Sequence, residues 1–208
     1  MATIAKFSII EYGKNSELSQ LTEGDCLKSD AKKLSPIKNL NCIMNEVNKL
    51  TTHFQNVDKD AFFRKYGRLV DIARVEVLSP AVRALVHFLD PDYRCFSFGN
   101  IDIYPVMEEY RMLTECPNNL YRIYFPLRSD KIIPELSKLL RIANLEKFLE
   151  KNATSLKWRM IEIELEKRSG SEKERLIALG IFGLVLFPSQ TGVVSLKAAA
   201  AYVEYENT

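Results

Sequence analysis

The chain has 208 residues, 47% hydrophobic and 27% charged, which is enough apolar material for one buried core. Lys and Arg number 29 against 27 Asp and Glu, a formal charge of +2, so the total lacks the basic excess that phosphate binding favours. Cys26, Cys42, Cys95 and Cys116 stand far apart and His53 and His87 are the only histidines, which disfavours both a closed zinc site and a disulfide framework.

Four reduced thiols acting as small hydrophobes fit an intracellular compartment. The first residues carry Lys6 and Glu11 and no sustained apolar stretch, unlike a secretory signal. The longest uncharged apolar run, residues 176–187, stops at Pro188 and falls short of the roughly 20 residues that span a bilayer. It is expected to form a buried core helix, with no membrane association.

In chain order, residues 1–35 form a polar, mobile leader with one short strand expected at residues 5–10. The ordered domain then covers residues 36–208. Ser35-Pro36 opens a helix whose stripe is Leu40, Ile43, Val47 and Leu50. A helix over residues 61–66 stops at Gly67, and another follows over residues 69–75. Ser79-Pro80 repeats the cap-then-proline device, and Val82, Leu85, Val86 and Leu89 share one helical face, with Arg83 and His87 on the wetter one.

Residues 96–103 break the helical pattern. Phe96 and Phe98 flank Ser97, Ile101 and Ile103 flank Asp102, and Gly99-Asn100 supplies a tight turn, so a β-hairpin is expected with its aromatic face on the helices. Helices follow from Tyr104-Pro105 to Pro117 and over residues 133–142. Residues 158–166 alternate like a strand, but strong helix formers dominate and a helix is expected. Ser171 and Glu174 have capping-box spacing ahead of the apolar helix, on which Gly180 and Gly183 permit a close neighbour. A turn at Thr191-Gly192 and a short extended piece lead to a final helix over residues 197–205. That helix has little room to dock, which suggests a domain truncated at its C-terminus.

Reactive constellations are sparse. Asp102, Glu108 and Glu109 form an acidic cluster, yet carboxylates in a first helical turn are favoured there by the helix dipole. Cys95 and Cys116 have no histidine placed beside them by sequence, and neither a P-loop nor a dinucleotide fingerprint occurs. Arg64, Lys65, Arg68 and Arg74 around Tyr66, and Lys157, Arg159, Lys167 and Arg168 around Trp158, give local positive density suited to stacking on single strands. The interleaved Glu162, Glu164 and Glu166 interrupt it.

The order of motifs carries a resemblance. Residues 63–72, Ala84-Leu85 and Asp90-Pro91 lead into Cys95-Phe96-Ser97-Phe98-Gly99-Asn100-Ile101-Asp102-Ile103-Tyr104-Pro105 and Glu108-Glu109-Tyr110. Residues 178–188 and Gly192 follow. Over residues 56–202 this resembles the plant domain of unknown function related to the plant mobile domain, a transposon-associated group once labelled aminotransferase-like. The residue after Pro105 departs from the family, which often has a small polar residue there. The resemblance implies a nuclear context in silencing or genome maintenance and a domain that runs on past this chain's end. It carries over no catalytic residues, and no lysine here sits in a pyridoxal-phosphate context.

The expectation is therefore a mainly α, multi-helix domain with one small β-hairpin, without cofactor or metal. It would act as a non-enzymatic protein-interaction module of transposon-derived origin, with partners unnamed. Nucleic-acid binding through Arg64, Arg68 and Arg159 is the first alternative. A hydrolase or transferase using Asp102, Glu108 and Glu109 is the second.

Overall fold

A computed structural model describes residues 35–90, 95–104, 106–115, 129–189 and 192–207. The leader, its strand at residues 5–10, Cys26, Cys116 and the stop at Pro117 lie outside the described residues, as does the side chain of Cys42. The elements in order are α1 (Ser35–His53), α2 (Lys59–Tyr66), α3 (Leu69–Arg74), α4 (Ser79–Val86), β1 (Leu89–Asp90), β2 (Cys95–Phe98), β3 (Ile101–Ile103) and α5 (Met107–Thr114). Then come α6 (Ser129–Leu140), β4 (Ser155–Lys157), α7 (Trp158–Lys167), α8 (Gly170–Ile181), a π-helical turn (Phe182–Leu186), β5 (Val193–Ser195) and α9 (Leu196–Glu206). The expected mainly α fold with a hairpin is what the chain adopts.

The centre is the apolar run identified in the sequence. Residues 176–186 are all buried, so the second half of α8 and the π turn have no wet face and must be enclosed by other elements. α1, α3, α7 and α9 pack against α8, and α9 also packs on α6 and the π turn. Gly180 and Gly183 make this enclosure possible. A Cβ on Gly180 would lie 2.8 Å from a methyl of Leu50 in α1, and one on Gly183 would lie 2.7 Å from a methyl of Val194 in β5. The two glycines thus set the spacing of the core to the N-terminal helix and to the C-terminal strand.

α2 starts where Asp58 accepts hydrogen bonds from the Asp60 and Ala61 backbone N–H groups at 3.0 Å, an N-cap. It ends at Gly67, whose φ of +57° admits the sharp corner into α3. A side chain on Gly67 would collide with the last turn of α5, where a Cβ would lie 2.7 Å from the Glu115 carbonyl oxygen. At the same corner the Arg68 N–H donates to the Thr114 carbonyl at 2.5 Å.

Four local expectations are corrected. Leu78, not Ser79, is the N-cap of α4, and no side-chain cap bond is made there. α4 stops at Val86, and Leu89 joins β1, because it pairs with Phe96 across an antiparallel sheet. The Ser171/Glu174 box does not form: α8 begins at Gly170 behind Ser169, and Glu174 is buried instead of reaching back to a cap. The last helix is also not short of room. Residues 198–203 of α9 and Tyr205 are buried, because alanines let the helix lie close against its neighbours.

Two small antiparallel sheets complete the structure. One pairs β4 with β5; the other has the order β1-β2-β3, one strand more than the expected hairpin. Gly183→Ala is expected to destabilise the domain by about 1–3 kcal/mol, since the new methyl cannot avoid Val194 without shifting β5. Chemical denaturation of the two proteins measures this, and an unchanged midpoint would show that β5 yields freely.

Candidate interaction surface

Cross-strand register places the side chains of the three-stranded sheet. Phe96 pairs with Ile103 and Phe98 with Ile101, so these four share one face, while Ser97 and Asp102 share the other. Phe96 is buried and anchors that face to the core, with Leu89 and Phe98 packed beside it. The apolar character then continues past the edge of the core. Ile101 is 59% exposed and Ile103 42%, Phe88 is 45% exposed and stacks on Phe98 at 4.6 Å, and Tyr104 is 59% exposed. On the opposite face, Ser97 donates to Asp102 at 2.7 Å. Among the described residues β3 has no strand on its far side, so backbone groups and two isoleucines stand together at an open edge.

A second assembly is buried and polar. Glu206, at the end of α9, has a side chain only 2% exposed. Its Oε1 accepts from the Tyr202 hydroxyl at 3.0 Å and from the Tyr66 hydroxyl, and its Oε2 faces Lys65 Nζ at 2.6 Å and Arg175 Nε at 4.0 Å. The Tyr205 hydroxyl donates to the Lys65 carbonyl at 2.6 Å. Burial, together with the negative Glu206, holds both Tyr66 and Tyr202 protonated far above the usual phenol range. With two cations around a single carboxylate, the cluster ties α9 to α2 and α8. Its α2 and α9 members lie about 140 positions apart in the chain (Lys65 to Glu206 is 141), and no local signal in the sequence marks their meeting.

A third locus surrounds Gly192. The Trp158 N–H donates to the Gly192 carbonyl at 2.8 Å, Lys49 pairs with Glu162 at 3.6 Å, and Glu46 Oε2 and the indole Nε1 of Trp158 are buried without hydrogen-bond partners. Burial, then the charge of Glu162, push the Glu46 carboxyl above its ordinary range, against smaller downward pulls from the Gly192 N–H and Lys49.

The sequence-derived residues are distributed otherwise. Tyr66 and Trp158 are buried, so neither offers a ring face to a base, which removes the stacking element of the nucleic-acid reading. Arg64 and Arg159 are exposed on α2 and α7, and Arg68 is held by Asp71 at 2.9 Å and Glu115 at 3.4 Å. Arg168 bonds Glu164 and Glu172 at 2.8 and 2.9 Å and donates to the carbonyls of Leu140 and Arg141, closing the C-terminal end of α6. Asp102 is exposed and occupied by Ser97. Glu109 is exposed and accepts from the Val106 N–H at the start of its own helix at 3.4 Å. The side chain of Glu108 lies outside the described residues. The Cys95 thiol is buried 3.7 Å from Ser97 Oγ, while His53 sits near Lys173 and Glu166 and is lowered in pKa by burial. Among the described residues no helix is long and apolar enough to cross a membrane, and no three His, Cys, Asp or Glu side chains gather where they could hold a metal.

Two outcomes follow. Glu206→Ala is expected to destabilise by about 3 kcal/mol or more, the scale of breaking a buried charge network, against about 1 kcal/mol for Tyr66→Phe, both by urea denaturation. For Glu46 the folded pKa lies above the unfolded one. Its contribution to stability is therefore fully present below the unfolded value and lost as pH rises through the folded value. Glu46→Gln should raise the melting temperature at pH 7, with a gain that shrinks toward pH 4; a pH-independent effect would contradict this.

No curated protein and no solved structure matches the chain. A family model does match, from residue 47 within α1 to residue 208, and thus takes in α2 to α9, both sheets and the Glu206 cluster. The chain belongs to the family described as Domain of unknown function (DUF7745).

Proposed function

We propose that the protein is a binding module that works by contact with another protein through the β1-β2-β3 sheet, and not by turnover of a substrate. The observation that supports this reading is the pairing of an open strand edge with exposed apolar side chains. Ile101, Ile103, Phe88 and Tyr104 lose apolar hydration if a partner covers them, and the outer backbone groups of β3 gain ladder bonds. Such a surface is costly to leave bare, since an exposed edge invites unwanted pairing. The sequence resemblance adds the rest of the proposal: a transposon-derived origin, a relation to the plant mobile domain and a nuclear place of action.

The nucleic-acid reading has less support, because Lys65, Arg68 and Arg168 are already engaged by carboxylates and the aromatic neighbours are buried. The two readings separate in one experiment. Nuclear extract is passed over the immobilised full chain with and without nuclease. An Ile101→Asp/Ile103→Asp variant should melt within about 0.5 kcal/mol of the parent, as surface changes do, and lose the nuclease-resistant partner. Retention by that variant, coupled with salt-sensitive DNA or RNA binding that Arg64→Ala/Arg68→Ala/Arg159→Ala abolishes, would replace the protein-contact reading.

A further inference from the structure

We draw no further inference here: the strongest candidate, the side-chain cluster where Glu46 of α1 and Trp158 of α7 meet Gly192 ahead of β5, rests on the raised pKa of Glu46 and on two buried polar atoms beside a turn whose residues 190 and 191 lie outside the described residues, so nothing in the structure shows what those atoms would bind.

Discussion

Everything in this fold is arranged around a segment that tolerates no water on any side. Residues 176–186, the second half of α8 and the π turn, are apolar all round, and a segment of that kind is stable only when other elements enclose it completely. Bulky side chains on such a rod would hold its neighbours away, so Gly180 and Gly183 mark the two places where Leu50 and Val194 must come close. α1 from the start of the chain and the β5–α9 unit from its end are thereby drawn to one rod. Long-range closure of this sort costs chain entropy, which the dense apolar burial around residues 176–186 offsets.

Polar groups then fix what burial alone leaves loose. Apolar contact is nondirectional, and helices around a smooth rod could rotate or slide. Glu206 removes that freedom by demanding two hydroxyls and a cation from α2 and α9 in one geometry. Arg168 does the same at another junction. Burial raises the pKa of Glu164, but the hydrogen bonds from Arg168 and Lys167 outweigh it and leave the carboxyl below its ordinary range. The charge is therefore retained at neutral pH and closes the end of α6. Together the two networks engage Lys65, Arg175, Lys167 and Arg168 with carboxylates.

The β1-β2-β3 sheet lies outside this logic. Phe96, with Leu89 and Phe98 packed beside it, roots it in the core, while its far edge carries the exposed Ile101 and Ile103. Exposed apolar side chains beside a strand edge that no described strand covers are the feature on which the proposed contact rests. The Cys95 thiol is buried, His53 is lowered in pKa by burial, and the carboxylates of Asp102 and Glu109 are bonded locally.

Much of the architecture was legible because it depends on short-range rules. The stop at Gly67, the proline at Pro80, the helical stripes, the Gly99-Asn100 turn and the glycine pair on the apolar run all act within a few residues. The exceptions were equally physical: Leu89 left its helical stripe because a strand partner was available, and Glu174 left its capping position because α8 began earlier. Sequence alone determined that the chain is mainly helical, with one apolar rod at its centre and one hairpin apart from it. Only the tertiary structure decided that Tyr66 and Trp158 are interior, that the alanine-rich last helix is enclosed, and that Lys65 and Glu206 meet. Those outcomes depend on which distant surfaces come together, and spacing along a chain carries no information about partners more than a hundred residues away.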